Sequence, residues 1–233
     1  MVSVDTVYQR VLAILNKEQR GYITPQEFNL KANQAQLEIF EQYFYDLQQF
    51  KRMRDNNTEY SDMVKLIDEK ISKFKKVGNA TYNGLDHFTL PSDLHKLGTV
   101  IYDNKEVERV DSKEILYLNL SPLAKPTTDR PVYIQSIDNL NEDLSIKIYP
   151  DSVSSNVTCS YIRKPKAVNW AYEEVDGVAL YNANDTVDFE IHESDEPNLV
   201  IKILSYSGII VREYDVTNVA DAKENKMLTQ EKS

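Results

Sequence analysis

Apolar residues recur at three- and four-residue steps through the first eighty positions and at shorter steps beyond them. Val4, Val7, Tyr8, Val11, Leu12 and Leu15 fall on one helix face, and Gly21 is placed to end that run. Thr24-Pro25-Gln26-Glu27 is a helix start. Thr24 can accept from free backbone N–H groups, Pro25 loses nothing at the first helical position, and Glu27 completes a capping box. The helix it opens is expected to reach about Arg54, a length of about 45 Å at 1.5 Å per residue. One stripe carries Phe28, Ala32, Ala35, Ile39, Tyr43, Leu47 and Phe50; a second carries Leu30, Leu37, Phe40 and Phe44. Together they are wider than one partner helix covers, so two neighbours are required, from this chain or from another subunit. After the polar break Asp55-Asn56-Asn57-Thr58, a third helix shows Tyr60, Met63, Val64, Ile67, Ile71 and Phe74 on one side.

Past Gly78 the pattern changes to strands. His87–Pro91 reads as extended, with Pro91 barred from a central ladder position. Thr99–Tyr102 and Val107–Val110 are β-rich and flank the turn Asp103–Glu106. Asp111-Ser112-Lys113-Glu114 is placed to cap a short helix reaching Leu120. Pro131–Ile137, Leu144–Tyr149 and Val157–Arg163 are further strands, the first two joined by the turn-like Asp138–Asp143. Ser145-Ile146-Lys147-Ile148 alternates as a half-buried strand does. Leu199–Val211 is almost wholly apolar apart from Lys202; it is too short to span a bilayer, and its lead-in Ser194-Asp195-Glu196 suits a helix N-terminus. The expected fold is α+β: N-terminal antiparallel helices (1–80), a β-sandwich-like antiparallel sheet region (81–193), and a C-terminal helix with a polar tail (194–233).

Composition narrows the function classes. The 233 residues are 41% apolar, with 15 Tyr and 7 Phe, so a packed core is affordable and global disorder is excluded. No apolar run reaches the length of a membrane span. The opening MVSVDTVYQR has no basic stretch followed by an apolar one, so no secretory signal is expected. Cys159 stands alone and cannot form an internal disulfide, which fits a reducing or redox-indifferent setting. The net charge of −10 has the wrong sign for a nucleic-acid reader. It is unevenly spread. Nine carboxylates and no Lys or Arg lie between Glu173 and Glu196, while cations cluster at Lys51-Arg52-Arg54, at Lys70-Lys73-Lys75-Lys76 and at Arg163-Lys164-Lys166. Such bands suit a bipolar subunit whose acidic and basic surfaces meet on neighbouring copies. Ordinary solvated surface explains the same bands.

Candidate chemistry is sparse. Asn16–Glu27 imitates a twelve-residue calcium loop, with Gly21 and Glu27 in place, but Arg20 stands where an oxygen donor is needed. His87, His95 and His192 show no helical metal spacing and lie far from Cys159 in sequence. No G-x-S-x-G, G-x-G-x-x-G or Walker-type loop occurs. The Asn-x-Thr sequons at Asn56, Asn79, Asn156 and Asn184 carry no weight without a secretory signal. No catalytic, cofactor or metal residue is assigned.

Several stretches carry a resemblance. VDTVYQRVLAILNKEQRGYITPQEFNLKANQAQLEIFEQYF is similar to the N-terminal region of neck or ring proteins from crAss-like and related podovirus-type tailed phages. FTLPSDLHKLGTVIY resembles the β entry of that family, SIKIYP and SYIRKPKAVNW its closing strands, and HESDEPNLVIKILSYSGIIV its final helix. The resemblance runs from residue 4 to about residue 212 and consists of structural residues. It implies a non-enzymatic head-to-tail connector subunit, akin in outline to the adaptor or gatekeeper proteins of short-tailed phages. It also implies a ring, of twelve copies in that family, whose partners are itself, the portal and other connector or tail rings. Genomic DNA would pass through without sequence-specific binding, no membrane is involved, and the protein would be made in the bacterial cytoplasm and end in the virion. The expected subunit contacts are Phe40, Tyr43 and Phe44 on the wide helical face, and the oppositely charged Arg163, Lys164, Glu173 and Glu174. Two other classes stay open. One is a hydrolase, whose mark would be a pocket grouping His87 or His95 with carboxylates. The other is a cytoplasmic interaction protein, calcium-dependent or not.

Overall fold

A computed structural model describes residues 1–17, 23–52, 58–84, 86–137, 144–176 and 178–211. The helix stop at Gly21, the calcium-loop positions Glu18 and Arg20, the expected helix end at Arg54, the break before Thr58, the turn at 138–143 and the polar tail lie outside the described residues. The chain is α+β. In order it forms α1 (Val4–Lys17), α2 (Pro25–Arg52), α3 (Thr58–Ser72), β1 (Lys75–Asn79), β2 (Thr81–Tyr82), β3 (Phe88–Thr89), β4 (Leu94–Tyr102), β5 (Lys105–Arg109), α4 (Glu114–Leu120), β6 (Val132–Ile137), β7 (Leu144–Tyr149), β8 (Val157–Arg163), β9 (Tyr172–Val175), β10 (Val178–Tyr181), a 3₁₀ turn (Glu193–Asp195) and α5 (Glu196–Val211). Contacts divide it into two compact units: residues 1–73 with 165–233, and residues 74–164. The three regions expected in chain order are thus regrouped, because the last helix belongs with the first three.

In the first unit α2 packs against α3 and α5, and α1 packs against α5. The capping box forms as the sequence requires. Thr24 N–H donates to Glu27 Oε2 at 3.1 Å, and Glu27 N–H to Thr24 Oγ1 at 3.2 Å. These bonds to Thr24 hold the Glu27 carboxyl below its usual range. Phe28, Ala32, Ala35, Ile39, Phe40 and Tyr43 are buried. Leu30 and Leu37 are exposed instead of joining Phe40 and Phe44. At 3.6 residues per turn they lie about 180–200° around the helix from Phe28, on the far side from the core. The polar Gln36 takes a place within the buried face.

That exchange has a cause. Residues 166–170 run extended without a place in either sheet, and helix side chains meet their backbone groups. Asn33 Nδ2 donates to Val168 O at 2.8 Å, and Val168 N–H to Asn33 Oδ1 at 2.7 Å. One turn back, Trp170 N–H donates to Asn29 Oδ1 at 2.8 Å, and Asn29 Nδ2 to Trp170 O at 3.2 Å. At the other end Gln36 Nε2 donates to Lys166 O at 2.8 Å, and Glu190 N–H to Gln36 Oε1 at 3.0 Å. Glu190 closes the loop by accepting from Lys166 N–H at 2.9 Å. On the outer side Asn169 pairs with Val187 in an isolated antiparallel bridge. An amide offers one donor group and one acceptor, so a row of them on a helix can replace a strand.

The second unit is a mixed sheet in the order β1-β8-β4-β5-β6-β7-β3-β2. All pairings are antiparallel except β5 with β6, which run parallel because α4 lies between them in the chain. The expectation of a wholly antiparallel region is corrected at that one pair. The first and last strands of the order are separated only by Ala80, whose N–H donates to Val157 O at 3.0 Å. The pairing therefore closes on itself, which removes most open edges. Phe88, Val100, Val107, Tyr133, Ile146, Ile148, Val157, Cys159 and Tyr161 form one interior cluster. Asp103 and Asn104 both take positive φ in the β4–β5 turn, the hairpin geometry their types favour. Gly98 sits at a register shift between β4 and β8; a Cβ there would lie 2.8 Å from Ser160 O. The short helix forms where expected but without a side-chain cap: Asp111 contributes its backbone O to the N–H groups of Glu114 and Ile115.

Asn33→Ala removes both partners of Val168 and leaves a part-buried donor and acceptor unmet. It is expected to lower unfolding stability by about 2 kcal/mol, seen as a lower urea midpoint at unchanged slope. A midpoint within error of the parent would contradict the assigned role.

Candidate functional site

Two features of the first unit and one of the second bring polar groups or neighbouring exposed apolar side chains together, while others such as Leu30, Val77 and Ile137 are exposed singly. The first is a cavity of about 240 Å³ lined by α2, α3 and the 192–198 turn. Its polar wall is built on Asp195, which the 3₁₀ turn carries inward. Tyr43 Oη donates to Asp195 Oδ2 at 2.5 Å, and Lys70 Nζ donates to Asp195 Oδ1 at 2.8 Å. The Lys70 ammonium also lies 5.4 Å from the centre of the Tyr43 ring. Burial, then the neighbouring carboxylate, pushes the Tyr43 phenol far above its usual range, so it is a hydrogen-bond donor and not a nucleophile. His192 begins the turn and accepts from Ser194 N–H at 3.2 Å through Nδ1. The cavity groups His192 with carboxylates; His87 and His95 lie in the other unit. The arrangement ties α2, α3 and the entry to α5 with one carboxylate.

The acidic band from Glu173 to Glu196 turns out to be largely structural. Asp188 accepts from Val4 N–H at the start of α1, Glu190 from Lys166, Asp195 from Tyr43 and Lys70, and Glu196 from Arg10. Glu173 and Asp185 both accept from the Asn182 side chain. Glu174 and Asp176 face solvent on the β9–β10 hairpin. The cation of the apolar C-terminal helix is likewise used: Lys202 is buried and donates to Glu38 at 3.0 Å.

The second feature is that hairpin. Val175 pairs with Val178 and Glu173 with Leu180, so these four share a face; Tyr172, Glu174, Ala179 and Tyr181 share the other. The Tyr172 and Tyr181 rings lean on Trp170 at 5.8 and 5.7 Å. Val175, Val178 and Leu180 remain 48% to 59% exposed. The third feature is α4. Ile115 and Leu118 pack on Val132, Ile134 and Tyr149, the outward side of β6 and β7. Leu116, Tyr117, Leu120 and the following Leu123 are 63% to 99% exposed.

The residues expected at subunit contacts are distributed as follows. Phe40 and Tyr43 are buried within the first unit, and Phe44 is half-buried with its ring edge-on to Phe40 at 5.0 Å. The two neighbours that the wide face requires are therefore α3 and α5 of the same chain. Arg163 is half-buried at the end of β8, its guanidinium 5.5 Å from the centre of the Phe74 ring, and Lys164 is exposed beside it. Glu173 and Glu174 lie exposed on β9. Cys159 is fully buried in the sheet interior, where burial pushes its thiol up. Two signals went unused in the sequence. Val175-Asp176-Gly177-Val178 has the residues of a two-residue hairpin turn, and EILYLNL is apolar on too many sides for a helix that buries one.

No family model and no curated protein matches the chain. Among the described residues no group of three or more His, Cys, Asp or Glu could hold a metal ion. No helix among them is long and apolar enough to cross a membrane.

Asp195→Ala strips one acceptor from Tyr43 and Lys70 together and leaves the ammonium unpaired in a half-buried site. The expected loss is about 3 kcal/mol, against about 1 kcal/mol for Tyr43→Phe, read from urea midpoints. Equal small losses for both would contradict the shared-carboxylate arrangement.

Proposed function

We propose that this chain is a virion structural subunit that assembles with copies of itself into a ring of the phage head-to-tail connector, bridging portal to tail. In this reading the N-terminal helices run antiparallel, and the curled sheet takes the place of a sandwich. The action is mechanical and breaks no bond. The net charge of −10 favours a lumen that repels DNA and lets it pass. The protein is made in the cytoplasm of a bacterial host and ends in the neck of the particle, beside the portal and other tail rings.

One observation carries the reading. The first stripe of α2 is covered within the chain from Phe28 to Tyr43, while Leu30 and Leu37 of the second stay exposed; seven further large apolar side chains are exposed in two clusters, at α4 with Leu123 and on β9–β10. Exposed apolar clusters of this kind mark surfaces that another protein covers. A closed ring built from head-to-tail contacts needs two different patches on each subunit. The resemblance of residues 4 to about 212 to connector subunits names the setting.

Native mass measurement of the purified protein, alone and mixed with portal particles, tests the proposal. A closed oligomer, or a defined number of copies added to the portal, is expected. A strict monomer that joins no portal particle would contradict it.

A further inference from the structure

Two open surfaces of the chain are complementary, and from this we infer the contact that joins one copy to the next: the β9–β10 hairpin of one subunit seats on the α4–Leu123 surface of its neighbour. The inference rests on the assembly reading above and names its interface.

The hairpin is a two-stranded sheet, so each strand has an unpaired edge. Such a ribbon is marginal without a surface to lie on. One side leans on Trp170, and the other presents Val175, Val178 and Leu180. Its charges are Glu173, Glu174 and Asp176, with no Lys or Arg before Lys202 to offset them within the chain segment. Glu173, on the apolar side, is engaged by Asn182, Glu174 lies on the Trp170 side, and Asp176 projects at the turn as uncompensated charge.

The α4 surface has the opposite character at one end. Leu116, Tyr117, Leu120 and Leu123 are bare. Beyond Leu123 the chain turns through exposed Lys125 and Arg130, anchored by the buried Pro126 and by the 127–130 bridge. Asp129 there is taken by Lys105 at 2.6 Å, and Lys125 and Arg130 stand exposed beside it. Asp111 and Glu114 lie at the other end of the helix. An apolar ribbon with a negative tip thus meets an apolar helix face with a positive border. Like-charged borders would prevent two hairpins, or two α4 faces, from meeting, so the contact is between different patches and propagates from copy to copy.

Charge exchange tests this contact. Asp176→Lys, and separately Lys125→Glu with Arg130→Glu, are each expected to abolish the oligomer seen by native mass measurement. All three together are expected to restore it. Unchanged melting temperatures check that each protein is folded. In a second measurement Val178→Cys and Leu120→Cys are made separately and mixed under mild oxidation. Disulfide-linked dimers are expected in the mixture, and not between copies of either variant alone. If the parent forms a ring but the reversals leave its mass unchanged and no mixed disulfide forms, the contact is overturned while the assembly reading stands. If the parent is a monomer with and without portal particles, both are overturned.

Discussion

The row of side-chain amides on α2 is the interaction on which the first unit depends. Asn29, Asn33 and Gln36 stand at positions i, i+4 and i+7; Asn29 and Asn33 each hand a donor and an acceptor to one stretch of chain, and Gln36 donates to the same stretch while accepting from Glu190 N–H. That stretch, residues 166–170, has no strand of either sheet beside it, and its backbone groups would otherwise be desolvated without partners. Leaving a buried amide unmet costs about 1–3 kcal/mol each, so the segment has one stable place to lie. Its position fixes the chain that follows. Trp170 Nε1 donates to Asp5 of α1 at 3.0 Å, and the segment 187–190 pairs along the other side. The 3₁₀ turn then brings Asp195 to Tyr43 and Lys70, and α5 follows onto α2.

The same economy reshapes the charge pattern. Read along the sequence, nine consecutive carboxylates without a cation look like an acidic band offered to a partner. In the folded chain most of them accept backbone or side-chain hydrogen bonds within the first unit, because each sits where a helix start, a loop or a buried cation needs an acceptor. What is left for another molecule is the tip of a hairpin. The basic clusters are thinned in the same way: Lys70 serves Asp195, and Lys76 pairs with Asp93 at 3.2 Å. Surfaces available for assembly are thus fewer than the charge count suggests, and they are apolar at the centre.

The helical stripes and the capping box were legible because their periodicity and end signals are local. Val4, Val7, Val11, Phe28, Ala32 and Ile39 are all fully or nearly fully buried, as their spacing requires. Strands β4 to β8 were legible for the same reason, whereas β1 (Lys75–Asn79) falls in the stretch expected to be helical. What sequence order concealed was long-range. Nothing local says that Ala80 joins the two ends of the sheet, that β5 and β6 run parallel, or that Leu30 and Leu37 lose their place on α2 to a polar residue. Gln36 reads as a solvent residue until its partners, more than a hundred positions away, are in place. The expected contacts Phe40 and Tyr43 satisfied every rule for an interface stripe, and every rule for a core as well; only the position of α3 and α5 decides between these. The hairpin at Val175–Val178 and the apolar α4 were readable from turn chemistry and from helix amphipathicity.

Amide hydrogen exchange at Val168 and Trp170 tests the central claim most directly. Their N–H groups should exchange as slowly as those of the α2 core around Ala32 and Ile39, since both are held by helix side chains and open only with the unit. Exchange at the rate of an unstructured peptide, while the α2 amides stay protected, would contradict the account.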